Sequence, residues 1–336
     1  MAKCILKVEN IYKHYNENKQ LFKKAKSFGI PAIDDISFEL YAGETLGLIG
    51  ESGSGKTSIG RAIGKLMSVQ RGRIELFDQD VTSLSERKFK HLRKDLQIIF
   101  QDLDAALNPN MQIKQIMRDI FKLHHPANET QNTINKLLHS VKLDQNVLSK
   151  YPSELSGGQK RRIAIANVLA SKPKFIIADE PTTGLDQYTQ SLILKLIRNL
   201  QKENAISMLL ISHDLQVIKD NCQRVIVLYL GKIVEVAPVD ILSQRPSHPY
   251  TQLLWSTFNE GLERKLIKNE RSHNVRSGLH DFERPVHGCR FAPRCDQYIA
   301  NNRPDICTLA NNEPPLYQIT PNHSVACHFP LNKPKN

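Results

Sequence analysis

A glycine-rich segment near residue 50 constrains the fold of this chain more than any other feature of its sequence. Residues 50–57 read GESGSGKT and fit the pattern G-x-x-x-x-G-K-[ST], a loop whose backbone N–H groups surround phosphates. Residues 45–49 predict a short buried strand before the loop. Apolar residues after the loop recur at the spacing of one helix face: Ile59, Ala62, Ile63 and Leu66. Because a helix N-terminus would then point at the loop, the segment predicts an anion site between a strand and a helix.

The chemistry of this loop depends mainly on two side chains. Lys56 is placed to reach the β- and γ-phosphates of a nucleotide, and the Thr57 hydroxyl is placed to hold Mg²⁺. The loop alone predicts a nucleotide without saying what the nucleotide is used for. The candidate nucleotide-binding residues of the segment are Gly50, Glu51, Ser52, Gly53, Ser54, Gly55, Lys56, Thr57 and Ser58.

The bulk composition limits the class of protein. The chain has 336 residues, enough for one large domain with additions or for two domains, and 40% of its residues are hydrophobic. No apolar run reaches the ~18–20 residues of a membrane helix, and the first residues lack the apolar region of a signal peptide. We therefore expect a cytosolic protein. The net charge of +12 suits nucleic acid, an anionic membrane surface or phosphate ligands, and charge alone does not choose among them.

The order of predicted elements indicates an α/β fold. In residues 3–50, apolar and polar residues alternate as in antiparallel strands with one solvent-exposed face. A lysine-rich insertion at residues 16–28 interrupts this pattern. Residues 102–150 are mostly helical in pattern, with a break at residues 125–128. Further strands are predicted at residues 175–178, 207–211 and 225–229, and a helix at residues 191–200. Strands separated by helices are typical of an α/β sheet.

Two carboxylates end one of these predicted strands. Asp179 and Glu180 follow the apolar residues 175–178. In an enzyme with a phosphate loop, an Asp at such a strand end holds Mg²⁺. Glu180 is then placed to activate the attacking water as general base. The alternative is that the two acids merely begin a loop before Pro181.

The sequence LSGGQ at residues 155–159 has two compatible interpretations. Ser156 and Gln159 form the pattern of a capping box, a helix start that contributes about 1 kcal/mol. A capping box does not explain Gly157 and Gly158, which weaken a helix start but allow a close backbone approach. We therefore predict a capped helix N-terminus that also offers a second phosphate-binding surface.

These motifs, followed by TGLD at residues 183–186 and SHD at residues 212–214, occur in the order seen in ATP-binding-cassette (ABC) ATPases. The chain resembles the nucleotide-binding subunit of an ABC transporter over residues 3–255. The resemblance implies an α/β P-loop NTPase fold with a RecA-like core, an antiparallel β subdomain and a helical subdomain at about residues 102–165. It also implies that ATP and Mg²⁺ are the ligands.

The resemblance assigns roles to further residues. Gln101 is similar to the glutamine that contacts Mg²⁺ and senses the membrane partner, and His213 to the histidine that contacts the γ-phosphate. Asp186 is similar to the acid that crosses the interface between two cassettes. Tyr15 is placed like the aromatic residue that stacks on adenine, with Tyr12 as its competitor.

In this family two cassettes pair head to tail, with ATP between the phosphate loop of one and the LSGGQ segment of the other. The resemblance implies that one chain alone hydrolyses ATP poorly. The implied partners are a second cassette subunit, expected to be a paralogue, two transmembrane permease subunits and, indirectly, an extracytoplasmic peptide-binding protein. No nucleic acid is implied. The implied location is peripheral, on the cytoplasmic face of the inner membrane.

Three segments narrow the resemblance to importers of oligopeptides and dipeptides, or of nickel. Residues 102–109 resemble the segment Q-D-P-x-x-S-L-N-P of these ATPases, although Leu103 replaces Pro and Ala106 replaces Ser. Residues 248–251 read HPYT, and the cysteine-containing tail is similar to the C-terminal extension of the same group. The implied function is ATP hydrolysis that powers the import of di- and oligopeptides through a membrane permease.

Four cysteines are concentrated in the tail, at Cys289, Cys295, Cys307 and Cys327. In a reducing cytosol such clustering favours a metal or cluster site over disulfides. The spacing C-x5-C-x11-C-x19-C differs from the C-x2-C pairs of a zinc ribbon, and four thiolates suit tetrahedral zinc or a [4Fe–4S] cluster. Some relatives with this tail carry an iron–sulphur cluster, so the resemblance favours iron over zinc and over an unoccupied reduced set. Alternative ligands are His287, His323 and His328.

The predicted domain organisation is an ATPase domain at residues 1–255, a charged and polar linker at 256–287 and the cysteine extension at 288–336. Two other functions compete. A soluble cassette ATPase of nucleic-acid repair or translation would suit the basic charge, but such proteins carry two cassettes or a long coiled coil. An iron–sulphur assembly ATPase would lack both the HPYT segment and the cysteine tail.

Overall fold

The computed structural model describes residues 3–15, 31–100, 107–124, 131–266, 288–309 and 312–332. The chain divides into two compact units, which are described separately. The first comprises residues 1–11, 37–47 and 57–212, and the second comprises residues 12–36, 48–56 and 213–336.

The described residues form strands and helices with the following bounds. The strands are β1 (Cys4–Lys13), β2 (Ile33–Tyr41), β3 (Thr45–Ile49), β4 (Arg71–Leu76), β5 (Gln79–Asp80), β6 (Leu96–Ile99), β7 (Phe175–Asp179), β8 (Ser207–Ile211), β9 (Arg224–Tyr229), β10 (Lys232–Pro238), β11 (Tyr317–Thr320) and β12 (His323–Val325). The helices are α1 (Lys56–Ile63), α2 (Glu86–Phe89), α3 (Ile113–His124), α4 (Gln131–Ser140), α5 (Gly157–Ala170), α6 (Gln187–Asn204), α7 (Leu215–Asn221), α8 (Val239–Gln244), α9 (Pro249–Leu266) and α10 (Asp296–Ala300).

A four-stranded sheet with the order β2-β1-β4-β5 lies mainly in the first unit. The strands β4 and β5 are antiparallel, with Glu75 opposite Asp80. In β2, Ile36, Phe38 and Leu40 are buried, whereas Ser37, between Ile36 and Phe38, is exposed. This alternation confirms the prediction of strands with one solvent-exposed face.

The first unit also contains a parallel stretch in which β8, β7 and β6 are successive neighbours. Ile177 of β7 pairs with Ile98 of β6 on one side and with Leu209 of β8 on the other. Every residue of β7 and β8 is buried, as expected for parallel strands covered on both faces. Because the strands are parallel, Asp179 and its register partner Ile211 lie at the same edge of the sheet.

The helix after the phosphate loop is shorter than the apolar spacing predicts. Ile59, Ala62 and Ile63 are buried, but α1 ends at Ile63 and the side chain of Leu66 is 48% exposed. Lys65 adopts a left-handed backbone conformation with φ of 56°, which ends the helix. The prediction that Leu66 belongs to the buried helix face is therefore wrong.

The second unit contains an antiparallel run in which β9 and β10 form a hairpin and β12 pairs with the other edge of β10. Glu235 of β10 lies opposite Val325 of β12, and β11 continues the sheet beyond β12. The tail has too little apolar content for a core of its own, and it joins this unit by extending an existing sheet. Among its buried residues are Phe291, Ala292, Cys295, Cys307, Val325, Ala326 and Cys327.

A buried carboxylate stabilises this part of the second unit. The fully buried side chain of Glu235 accepts hydrogen bonds from the backbone N–H groups of Ser247 (2.7 Å) and His248 (2.9 Å). Its Oε1 also lies 2.6 Å from Nε2 of His323. Burial lowers the pKa of His248 to about 4, so this imidazole is neutral and its Nδ1 accepts the N–H of Tyr250.

The predicted domain boundaries at residues 255 and 287 stay predictions. The helix α9 continues to Leu266, beyond the predicted start of the linker, and residues 267–287 lie outside the described residues. The predicted insertion at residues 16–28 and the break at 125–128 lie outside them too. Of the helices in the described ranges, none combines the length and the apolar character needed to cross a membrane.

Candidate nucleotide-binding site

The phosphate loop turns sharply at two glycines that no larger residue could replace without strain. Gly50 and Gly55 have φ values of 148° and 105°, in a region that disfavours side chains. A Cβ atom on Gly50 would collide with the carbonyl oxygen of Leu228, and one on Gly55 with that of Ala32. The loop is thus packed directly against neighbouring backbone of the second unit.

The ammonium group of Lys56 lies inside this loop. Its Nζ donates hydrogen bonds to the carbonyl oxygens of Gly50 (2.7 Å) and Glu51 (2.9 Å) and lies 3.5 Å from Oγ of Ser54. Lys56 and Ser54 are both buried. Ser52 and Gly53, at the tip of the loop, are exposed. The loop therefore presents a buried positive charge under an open tip, as a phosphate site requires.

Within the first unit the structure brings together Thr57 and Asp179, two of the three predicted Mg²⁺ ligands. The Thr57 hydroxyl donates a hydrogen bond of 3.2 Å to Oδ1 of Asp179, although 122 residues separate them in the sequence. Asp179 is 8% exposed, at the end of the buried strand β7. A hydroxyl and a carboxylate oxygen are suitable ligands for Mg²⁺, so these residues fit the ion. Ser58, the next residue of α1, is partly buried.

Glu180 stands next to this pair in a strained backbone conformation. Its φ is 48°, which is uncommon for a residue other than glycine, and its N–H donates to the carbonyl oxygen of Ile211 (2.9 Å). Its Oε2 accepts a hydrogen bond of 2.8 Å from the Thr183 hydroxyl. The carboxylate is thus held in one orientation beside Asp179.

The predicted capping box at the start of α5 is confirmed. The Ser156 hydroxyl accepts the N–H of Gln159 (3.3 Å), and the Gln159 side chain accepts the N–H of Ser156 (3.0 Å). Ser156 and Gly157 are exposed, and a Cβ on Gly157 would meet only Leu185, at 3.9 Å. A Cβ on Gly158 would approach Thr189 to 3.0 Å. Gly158 is therefore needed for packing, whereas the fold leaves space beside Gly157.

The remaining predicted site residues differ in how the structure places them. Asp186 is exposed and caps α6, where its carboxylate accepts the N–H of Thr189 (2.9 Å), a bond that lowers the pKa of Asp186. His213 is exposed after β8. Tyr15 is 50% exposed, as a surface for stacking a base would be, and Tyr12 is partly buried. Gln101 lies outside the described residues.

The four tail cysteines line one cavity in the second unit. His248 and His328 also line it. Burial, together with the nearby Cys295 and Cys307, raises the pKa of Cys289 to about 11 and that of Cys327 to about 12. His323 binds Glu235 instead, and His287 lies outside the described residues. In the part of the chain that the structure describes, however, no group of three or more His, Cys, Asp or Glu side chains is close enough together to hold a metal ion.

Comparisons with known proteins agree with this geometry. The family model of the ABC transporter matches residues 33–183, and that of the oligopeptide/dipeptide transporter C-terminal region matches residues 234–301. The oligopeptide transport ATP-binding protein AppF of Bacillus subtilis is 38% identical over 328 residues, which cover 97% of each chain. OppF of Haemophilus influenzae, with the same description, is 37% identical over 94% of this chain and 93% of its own. The chain belongs to the ABC transporter ATP-binding proteins of the oligopeptide/dipeptide type.

Solved structures of other ABC cassettes share the fold of this ABC ATPase. A dimeric ATP-binding cassette in a post-hydrolysis state with ADP and Pi superimposes with a TM-score of 0.61 at 25% identity, over 70% of this chain and 99% of that one. CbiO1 of Clostridium perfringens, part of the transporter complex CbiONQ, has a TM-score of 0.62 at 27% identity and covers 78% of this chain and 99% of its own. The predicted P-loop NTPase fold of an ABC cassette is confirmed.

Sequence reasoning missed three polar residues that support the site of this ABC ATPase. The buried Arg161 of α5 donates to the carbonyl oxygens of Pro181 (2.6 Å) and Thr183 (3.1 Å), directly after Glu180. Arg294 and Tyr250 contact Glu51 of the phosphate loop. Tyr250 belongs to the HPYT segment, but nothing in the linear pattern indicates what any of the three contacts.

Proposed function

We propose that this chain is the ATP-hydrolysing subunit of a membrane importer for di- and oligopeptides. The observation that carries the ATPase part is the contact between Thr57 and Asp179 beside a fixed Glu180. Relatives described as oligopeptide transport ATP-binding proteins, aligned over nearly the whole chain, support the peptide part.

The loop residues bind ATP through its phosphates. Lys56 exchanges its carbonyl partners for the β- and γ-phosphate oxygens, and the backbone N–H groups of residues 50–57 bind the rest of the polyphosphate. Thr57 and Asp179 would hold Mg²⁺, and the ion would neutralise charge on the phosphates. Glu180 orients the attacking water and accepts its proton, while Thr183 keeps the carboxylate in place. We assign Gln101 to Mg²⁺, His213 to the γ-phosphate and Tyr15 to adenine, with Tyr12 as the alternative.

The site is completed by a second cassette. Ser156, Gly157 and Asp186 are exposed, and Ser156 and Gly157 begin a helix whose N-terminal N–H groups can bind the γ-phosphate of a nucleotide on another chain. We propose a head-to-tail heterodimer with a paralogue, bound to two permease subunits at the cytoplasmic face of the membrane and served by an extracytoplasmic peptide-binding protein. No nucleic acid is involved.

The substitution Glu180→Gln tests this function because it removes the general base and keeps the size of the side chain. We expect ATP binding to be retained, turnover to fall by about 100-fold or more, and an ATP-bound dimer to accumulate. Peptide uptake by cells that depend on this chain should be lost. The matched control is Glu203→Gln, on α6, with unchanged turnover. Hydrolysis at the wild-type rate by Glu180→Gln would exclude Glu180 as the general base. Uptake of nickel instead of peptides would exclude peptides as the substrate.

We further propose that Cys289, Cys295, Cys307 and Cys327 hold a [4Fe–4S] cluster, with Zn²⁺ as the alternative. The shared cavity and the mutually raised thiol pKa values fit a bound cation, which would relieve the repulsion among thiolates. The centre would stabilise the tail, which lacks a core of its own.

Anaerobic purification followed by iron, sulfide and zinc analysis tests this assignment. We expect a brown protein that loses its colour and iron in Cys295→Ala but keeps both in Cys4→Ala, which lies far along the chain in β1. Zinc without iron would reject the cluster in favour of the alternative, and the absence of both metals would reject the site.

A further inference from the structure

One side chain of the phosphate loop is held by the C-terminal extension. Glu51, the second residue of the loop, forms a two-pronged ion pair with Arg294. Nη1 of Arg294 lies 2.9 Å from Oε2 of Glu51, and Nη2 lies 2.9 Å from Oε1. The side chain of Arg294 is 11% exposed and that of Glu51 is 28% exposed, so the pair is largely shielded from water. Bidentate pairs of this kind fix orientation as well as charge.

The surroundings of Arg294 hold the guanidinium in place. It lies 5.8 Å from the ring centroid of Tyr229 and 5.7 Å from that of Phe291, and the Tyr229 hydroxyl accepts a hydrogen bond from Nη1 (3.4 Å). These two rings pack against Tyr250, with centroids 4.6 and 5.5 Å from its own. Arg294 is therefore pre-oriented by an aromatic cluster that includes Phe291 of the extension.

Tyr250 holds the backbone of the same loop residue. The N–H of Glu51 donates a hydrogen bond of 2.9 Å to the Tyr250 hydroxyl, and Tyr250 is fully buried at the start of α9. Burial raises the pKa of this hydroxyl well above its usual range, so it remains a neutral phenol. The side chain and the backbone of Glu51 are thus both anchored by residues beyond position 248.

A carboxylate in this loop is unfavourable for ATP binding unless it is neutralised. The loop must accept a triphosphate, and an unpaired negative charge a few ångströms away would repel it. Arg294 cancels that charge and holds the loop in one conformation before the nucleotide arrives, which lowers the entropy lost on binding.

We infer that Arg294 of the C-terminal extension and Tyr250 of α9 complete the phosphate-binding loop as positioning residues, so that ATP affinity depends on the extension. This inference rests on the proposed function, since it requires ATP at residues 50–57. Arg294 acts through Glu51 and does not itself contact the nucleotide.

A double-mutant cycle on the full-length chain tests the inference. The measured quantities are the Kd for Mg·ATP, and kcat and KM for hydrolysis. Arg294→Gln should raise Kd and KM about tenfold with kcat nearly unchanged, because it leaves the Glu51 charge uncompensated. The double variant Glu51→Gln, Arg294→Gln should return to within about threefold of the wild-type Kd, because no charge is then left unpaired. Arg294→Lys should rescue part of the loss.

Two further variants separate loop positioning from general stability. Glu313→Gln removes the carboxylate that pairs with Arg290 of the extension (3.1 Å) and with Lys232 of β10 (2.9 Å). The pair with Lys232 also attaches the extension, and neither pair involves Glu51. We expect it to leave the Kd for ATP unchanged. Tyr250→Phe removes only the hydroxyl that accepts the Glu51 N–H and should weaken ATP binding by about threefold. The Tyr250→Phe variant therefore tests the inference even if Arg294→Gln does not fold.

The outcomes that overturn the inference differ from those that overturn the proposed function. A folded Arg294→Gln with the wild-type Kd, or a double variant as weak as the single one, would show that the pair has only a structural role. If Arg294→Gln does not fold, an unchanged Kd for ATP in both Arg294→Lys and Tyr250→Phe would likewise show that these contacts have only a structural role. If instead the wild-type chain binds no ATP, or Lys56→Ala binds it equally well, the loop is not an ATP site and the proposed function itself fails.

Discussion

At the scale of single residues, Glu180, the proposed general base, depends on its neighbours for orientation. Its backbone is strained, with φ of 48°, and its carboxylate accepts a hydrogen bond of 2.8 Å from the hydroxyl of Thr183. Thr183 is itself held through its carbonyl oxygen by the buried Arg161. Strain of this kind persists where surrounding contacts fix the backbone, and here those contacts orient a carboxylate.

We predict that Thr183→Val lowers the kcat for ATP hydrolysis about five- to tenfold without changing the Kd for ATP. Valine has nearly the same shape but cannot donate to Oε2 of Glu180, so the carboxylate spends less time in the orientation that activates water. Steady-state kinetics and nucleotide titration measure the two quantities. Thr183→Ser, which keeps the hydroxyl, should restore most of the rate. Equal losses in the Val and Ser variants would mean that packing, not the hydrogen bond, matters.

At the scale of elements, local sequence patterns predicted the helices and strands whose bounds depend on a few neighbouring residues. The strand β8 has the predicted bounds Ser207–Ile211, because five consecutive buried residues leave no alternative in a parallel sheet. The capping box of α5 was predictable because Ser156 and Gln159 satisfy each other within one turn. The end of α1 was not, because the left-handed conformation of Lys65 has no signature in the apolar spacing.

Contacts between distant elements account for what the sequence could not show of the site. The motifs predicted that Thr57 and Asp179 bind one Mg²⁺ ion, and the structure joins the two side chains by a hydrogen bond. The shared ion stays a prediction. No pattern connects Arg161 with the carbonyl groups after Glu180, or Arg294 with Glu51, because 20 and 243 residues separate the bonded groups. Such pairs become visible only when the strands and helices that carry them are packed.

At the scale of the whole molecule, the tail is attached to the second unit in three ways. It adds β12 to the edge of β10, it places His323 against the buried Glu235, and it pairs Arg290 with Asp34 and Glu313 with Lys232. A tail with little apolar surface is thereby ordered by hydrogen bonds and ion pairs to a preformed sheet. The same attachment carries Arg294 to the phosphate loop.

The exposed start of α5 allows a test of assembly that spares the fold. We predict that Gly157→Asp leaves the melting temperature and the Kd for ATP unchanged but abolishes ATP-dependent dimer formation and lowers hydrolysis by about 100-fold or more. Gly157 is exposed and its Cβ position meets only Leu185 at 3.9 Å, and an acidic residue in the first turn is favourable for the helix itself. The added carboxylate would instead repel the γ-phosphate bound to the opposite cassette.

Gly157→Ala, which adds a methyl group without charge, is the matched control and should retain most of the activity. Light scattering with ATP in the Glu180→Gln background reports the dimer, and a Gly157→Asp variant that still dimerises would mean that this helix start does not face a partner's nucleotide.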